Sequence, residues 1–295
     1  MKVSLKIGFI VERRYLRQEM PGAVIRAFKG RGIETEILSP NDSLFEPEGG
    51  LLRSGEGTVF DLNRYDAIVS RNRNPLGLAM LAYADVAGIP ALNTHAATQR
   101  VRNKAKMAVA LSRAGIPCAP TILADDVTFF AGLPNNWFPL ILKATYGDNS
   151  QGLRLVRHPE ELGDIHWGDR LVLAQRYLPN DGFDLKLYVC GETVFAVRKP
   201  SPFNGDPKAS PRPVRPDAEM IRLALRCGRL FNLDIYGVDT IETSAGPVVI
   251  EINEFPNFTG VPDAAERIAD SILKKIEKGI ESRKPKVGME KTRNF

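Results

Sequence analysis

Asp239, Glu251 and Asn253 are the residues of this 295-residue chain whose types and spacing most plainly suggest chemistry. They lie in YGVDTIE and VVIEINEFPNF, within two short, apolar, β-branched runs, Ile235 to Ile241 and Pro247 to Ile252. Thr243-Ser244-Ala245-Gly246 between them has the composition of a hairpin turn. Side chains alternate along a strand, so Glu251 and Asn253 share a face, and Asp239 on the paired strand reaches it. Three oxygen donors with no Cys or His among them suit a hard cation, Mg²⁺ or Mn²⁺, shared with the phosphates of a nucleotide. Surface polar residues at a hairpin end are the plainer alternative, yet carboxylates flanked by VVI and IYGV do not occupy ordinary surface positions.

These residues need elements to hold them. KIGFIV (6–11), IETEILS (33–39), YDAIVSR (65–71) and the run 90–93 read as strands. Helices at 22–29 and 78–87 separate them, which implies a small parallel sheet. Such sheets bind ligands at the carboxyl ends of their strands. Arg71 and Arg73 follow the third strand there and are candidates to grip an anionic substrate. A helix is expected over 98–114, with Lys104 and Lys106 on it. FPLILK (138–143) is a strand ending in Lys143, the only charge on that strand. It opens the loop YGDNSQG (146–152), whose backbone amides could cover phosphates, or which could equally be an ordinary hairpin turn. A strand over 170–178 leads to the hairpin 183–200, which places Asp184, Lys186, Arg198 and Lys199 at its open end. Residues 201–217, with five prolines, read as a mobile substrate loop. A helix over 218–231, the metal hairpin and a helix over 262–278 complete the chain, with a charged tail after it.

Composition sets the outer limits. Hydrophobic content of 43% and charged content of 25% describe a soluble globular protein. No run is long and apolar enough for a membrane span or a secretory leader, and Cys118, Cys190 and Cys227 fit reduced thiols, so a cytoplasmic protein is expected. A net charge of +5 without a basic, aromatic-interleaved block favours small anionic ligands over nucleic acid or membranes. A homo-oligomer is compatible with all of this. His95, His158 and His166 form no pattern.

The order of these parts resembles the ATP-grasp superfamily over roughly residues 98–278. Asp239, then Glu251-x-Asn253, resembles its Mg²⁺ ligands in type and order. Asn103-Lys104 ahead of Ala114-Gly115-Ile116-Pro117, the strand ending in Lys143 and the loop containing Gly147, Ser150 and Gly152 resemble its phosphate-binding parts. The resemblance implies an α/β (α+β) fold: an N-terminal parallel sheet domain (1–97), then two α+β subdomains (98–173 and 174–282) holding ATP between them, and a flexible tail (283–295). It further implies that Gln175, Arg176, Tyr177 and Leu178 read the adenine through backbone atoms, and that Asp184 lies near the ribose.

Two enzyme classes fit such a site. RimK-like carboxylate–amine ligases are similar in the N-terminal sheet, the Arg71–Arg73 loop and the spacing of the metal ligands. That similarity implies a small-molecule or peptide carboxylate and amine joined through an acylphosphate, with Lys186, Arg198 and Lys199 at the reacting groups. Lys186 stands where those ligases usually carry arginine, and lysine lacks the planar fork. Arg176 likewise replaces a commonly acidic hinge residue. The inositol-polyphosphate kinases of the same superfamily are similar in 184–189, 198–201 and 253–256, but 146–152 contains no histidine as their loop does. A non-catalytic nucleotide-binding regulator is the third reading. Ligase chemistry is the expectation.

Overall fold

The structure, a computed structural model, describes residues 5–147 and 152–283. Ser150 and the residues after 283 therefore lie outside the described part. Contacts group the chain into two compact units, residues 1–92 with 265–295, and residues 93–264.

The first unit opens with β1 (Lys6–Val11), α1 (Glu19–Gly30) and β2 (Glu34–Leu38). An antiparallel meander follows, β3 (Ser43–Glu46), β4 (Leu51–Ser54) and β5 (Val59–Asp61), which the sequence reading did not anticipate. Then come β6 (Ala67–Arg71), α2 (Pro75–Val86) and β7 (Ala91–Leu92). The main sheet has the order β2-β1-β6-β7 with every pairing parallel, as β-α-β connectivity requires. β6 is buried along its whole length and β1 from Ile7 onward, as in a parallel sheet covered on both faces. Asn74 caps α2, its side chain accepting the Leu76 amide, and Pro75 takes the first helical position, where its missing N–H costs nothing.

In the second unit the helix expected over 98–114 is two helices, α3 (His95–Arg102) and α4 (Lys104–Arg113). Asn103 between them is extended (φ −86°, ψ 99°) and its side chain accepts the Lys106 amide, so it starts a new helix. A four-stranded antiparallel sheet follows, of β8 (Thr121–Ala124), β9 (Leu140–Ala144), β10 (Arg154–Val156) and β11 (Val172–Arg176), in the order β10-β9-β11-β8. One face packs Leu140, Leu142, Val172 and Ala174 against Phe130 and Leu162, which turns Lys143 and Gln175 to the other face.

The second sheet is built from β12 (Phe183–Cys190), β13 (Thr193–Pro200), β14 (Arg212–Val214), β15 (Ile235–Thr243) and β16 (Gly246–Glu254), in the order β14-β13-β12-β15-β16. Its inner face (Leu185, Leu187, Val189, Val238, Ile252) packs on α5 (Ala218–Phe231), whose bounds match the sequence expectation. The 201–217 segment, expected as a loop throughout, contributes β14 as the sheet's edge. The last helix, α6 (Ala264–Arg283), belongs to the first unit, where Glu266 and Asp270 meet Arg31 after α1. No helix among the described residues is long and apolar enough to cross a membrane.

The fit of α5 on the sheet depends on one glycine. A Cβ at Gly228 would lie 2.1 Å from the hydroxyl of Tyr236, which itself donates to Ala224 O at 2.9 Å. Gly228→Ala is therefore expected to destabilise the protein by about 1–3 kcal/mol through overpacking. Thermal unfolding would read this, and an unchanged midpoint would show that the helix shifts freely.

Candidate active site

The outer face of the five-stranded sheet carries the candidate metal ligands. Asp239 pairs directly with Glu251, and Gly237 with Asn253, so all three oxygen-bearing side chains emerge on one side. A register shift after Asp239 pairs Thr240 with Val249 and leaves Ile250 as the extra residue. This bulge lets Val249 and Ile252 both face the core while Glu251 faces out. Asn253 Nδ2 lies 3.4 Å from Asp239 Oδ2, so the two side chains converge.

Lysines close around these carboxylates. Lys186, directly across from Asp239 on β12, places its ammonium 2.7 Å from Asp239 Oδ1. Burial alone would lower its pKa, but Asp239 beside it more than offsets this, and the pKa is raised. Lys104 reaches Glu251 Oε1 at 2.7 Å and the carbonyl of Gly147 at 3.3 Å. Burial works against the Glu251 carboxylate, yet the ammoniums of Lys104 and Lys143 hold its pKa below the usual value. Lys143, a residue only 6% exposed, donates its ammonium to Gln175 Oε1 at 2.5 Å. Burial lowers its pKa, partly opposed by the charge of Glu251. Lys106, by contrast, is exposed on the far side of α4.

Asp184 is buried, accepts from Asn180 Nδ2 at 2.8 Å, and has its pKa raised by burial. It faces Lys199 across the hairpin, and burial, followed by the Lys186 charge, lowers the Lys199 pKa. Arg198 is not brought to this face. It pairs with Leu185, whose side chain is in the core, so its guanidinium lies on the opposite side. There it binds Asp181, approaches Glu242 Oε2 at 3.4 Å and stacks on Phe183. Strand alternation permits Arg198 or Lys199 on the site face but not both, and the sheet selects Lys199.

At the adenine hinge expected from the sequence, the amides of Arg176 and Tyr177 are taken by Pro120 O and Pro139 O, each at 2.9 Å. The amide of Leu178 has no such backbone partner among the described residues. Gln175 differs from expectation, because its side chain rather than its backbone engages the site, linking Lys143 to Thr121 Oγ1. Beyond the hinge, residues 180–182 and 201–205 are knitted together. Ser201 donates its amide to Gly182 O at 2.9 Å, Gly205 donates to Ser201 O at 3.0 Å, and Tyr177 meets Phe203 edge to face. A Cβ at Gly205 would come within 2.7 Å of three backbone atoms, so only glycine fits there. Gly147 and Gly152 flank the loop residues that lie outside the described part.

In the first unit, Arg71 ends β6 and is buried, donating to Gln18 Oε1 at 2.9 Å and stacking 4.5 Å above Tyr15. Arg73 follows, with its backbone amide bound by Glu12 at 2.9 Å. Both stand at the carboxyl ends of β1 and β6, as expected for that loop.

The donor set fits a hard divalent cation. Two carboxylates and an amide side chain that carries an oxygen share this face, although no group of three or more His, Cys, Asp or Glu side chains could hold a metal ion among the described residues. Reasoning from sequence missed Tyr188, which lies beside Lys186 on the same face with its pKa pushed up to about 12 by burial, and which stacks on Phe258. Its place two residues after Lys186 on an alternating strand was the available signal.

A sequence model of the RimK-like ATP-grasp domain matches residues 101–276, well over half of the chain. The chain belongs to the RimK-like ATP-grasp family. Its fold is the ATP-grasp fold, a mixed α/β architecture of one parallel sheet and further antiparallel ones. A curated relative from Shewanella frigidimarina, named probable alpha-L-glutamate ligase 2, is 26% identical over 277 residues, covering 86% of this chain and 91% of that protein. The crystal structure of a RimK domain ATP-grasp protein from Sphaerobacter thermophilus superposes with a TM-score of 0.70 at 21% identity, covering 90% of this chain and 98% of that one. The ATP-grasp ligase PsnB, solved with a minimal precursor, Mg and ADP, gives 0.68 at 16% identity, covering 92% and 98%. At such identities the solved structures speak to the fold.

Proposed function

We propose that this RimK-like ATP-grasp protein is an ATP- and Mg²⁺-dependent ligase that joins a carboxylate to an amine through an acylphosphate. The face formed by Asp239, Glu251 and Asn253, ringed by Lys104, Lys143 and Lys186, carries this reading. Asp239, Glu251 and Asn253 would hold Mg²⁺, which when bound neutralises phosphate charge as a Lewis acid. Lys104 and Lys143 bind the phosphates, with Gly147, Ser150 and Gly152 in the covering loop. Arg176 to Leu178 receive the adenine edge, the Leu178 amide being the donor left for it, and Gln175 orients Lys143 from beneath. Asp184 would accept a hydrogen bond from a ribose hydroxyl.

The chemistry is positioning and electrostatics. The substrate carboxylate attacks the γ-phosphorus and ADP leaves. Lys186 and Lys199 offset the charge on the acylphosphate. An amine then attacks the acyl carbon, phosphate departs, and the proton released by the amine passes to solvent. Arg198, on the other face of the sheet, is better suited to bracing the hairpin against Asp181. Arg71 and Arg73 are proposed to bind an anionic substrate, and the names of curated relatives make L-glutamate the first candidate. Relatives from Shewanella frigidimarina and Maridesulfovibrio salexigens, both named as probable alpha-L-glutamate ligases, favour ligase over kinase chemistry.

Incubation with ATP, Mg²⁺, hydroxylamine and a panel of acids, with and without L-glutamate, and in parallel with inositol phosphates as polyol acceptors, tests this. Hydroxamate together with ADP release is the expected result. Phosphate transferred stably to a polyol, with none released, would replace the ligase with a kinase.

A further inference from the structure

Three consecutive residues at the break between α3 and α4 tie it to two places in the second unit, strand β16 and the segment that follows β9. Arg102, the last residue of α3, donates Nε to Glu254 Oε1 at 2.7 Å at the end of β16, and both side chains are only 8% exposed. Asn103 donates Nδ2 to the Tyr146 hydroxyl at 2.9 Å, at the foot of the loop. Lys104 donates its amide to Thr145 O at 3.0 Å, and its ammonium bridges Glu251 and the carbonyl of Gly147. In a continuous helix, residues two apart point about 200° away from each other, so Arg102 and Lys104 could not both address β16. The extended backbone at Asn103 replaces that helical phase and turns both cations toward the one strand.

We propose that Arg102 is a positioning residue for Lys104. Its ion pair with Glu254 pins the break to β16 and sets the direction in which α4 begins. The Lys104 ammonium is thereby held between Glu251 and the loop. A lysine is a mobile point charge on a flexible stem, so its site is defined by where its backbone is held, whereas the guanidinium of arginine is a planar fork that can fix geometry. Stability does not account for the pair, because burying two charges costs about as much as their attraction returns. The inference rests on the nucleotide reading given above.

The test uses the full chain with Arg102→Met, Arg102→Lys, Glu254→Gln, Lys104→Met and the double variant Arg102→Met with Lys104→Met. Binding of a fluorescent ATP analogue in Mg²⁺, without turnover, is measured beside ATP kinetics and thermal midpoints. Arg102→Met is expected to weaken analogue binding and raise the KM for ATP about tenfold, with kcat falling less. Arg102→Lys should recover only part of this, because the fork is lost. Arg102→Met should add no further loss in the Lys104→Met background, since it acts through that ammonium. Wild-type affinity in Arg102→Met, or losses that add to those of Lys104→Met, would overturn the proposal even if the thermal midpoint falls. If Arg102→Met does not fold, Arg102→Lys and Glu254→Gln carry the same comparison. A wild-type chain that does not bind the analogue overturns the nucleotide reading and this proposal with it. Normal wild-type binding with an unaffected Arg102→Met overturns this proposal alone.

Discussion

Glu251→Gln is expected to lower ATP-dependent turnover by at least about 10²–10³-fold, the scale set by removing a group aimed at developing charge. The substitution keeps the shape of the side chain and removes one negative charge from the three-oxygen face. It also strips Lys104 of its 2.7 Å partner, so two consequences act in the same direction. Asp239→Asn should behave alike, because it leaves the Lys186 ammonium without the carboxylate that raises its pKa. ADP release measured across a range of Mg²⁺ concentrations would read both variants, with circular dichroism confirming that they fold. Unchanged ATP consumption in either would reject the metal assignment.

Lys143→Met is expected to separate activity from stability. The residue is 6% exposed, and burial holds its pKa below the ordinary 10.5, so the folded protein bears a cost for keeping it charged near neutral pH. Methionine fills a similar volume without that cost. The thermal midpoint should hold or rise, offset by the partner that Gln175 loses, while kcat/KM for ATP falls about 10²-fold. The pH profile supplies a second readout. A group whose folded pKa is lowered loses its proton at lower pH than a free lysine, so the rate it supports should decline on the alkaline side before 10.5. Lys143→Arg should move that decline to higher pH. Wild-type kinetics in Lys143→Met would remove this lysine from the site.

The parts of this protein that were legible in the sequence are those in which local pattern and tertiary demand agree. Helix α5 shows an amphipathic stripe and an Asp217 cap, and the sequence expectation of Ala218–Phe231 matches it end to end. The hairpins β12–β13 and β15–β16 alternate cleanly because one face meets the core and the other the site. The meander β3–β5 was not legible, since its strands are three or four residues long and partly exposed, with too few positions to show a period. The α3–α4 break was missed because Asn103 sits among good helix formers and only its cap gives it away.

The residue types of Asp239, Glu251 and Asn253, and the two-residue spacing of the last pair, are properties of the sequence alone. From them follow the hard-cation chemistry and the shared face, because pleating fixes which side chains alternate. Which cations surround that face was decided only by the tertiary structure. Lys104, Lys143 and Lys186 lie far apart along the chain, and the choice of Lys199 over Arg198 depends on which side of β13 meets the core. The Arg102–Glu254 pair spans 152 positions, and no local pattern can register a contact of that length.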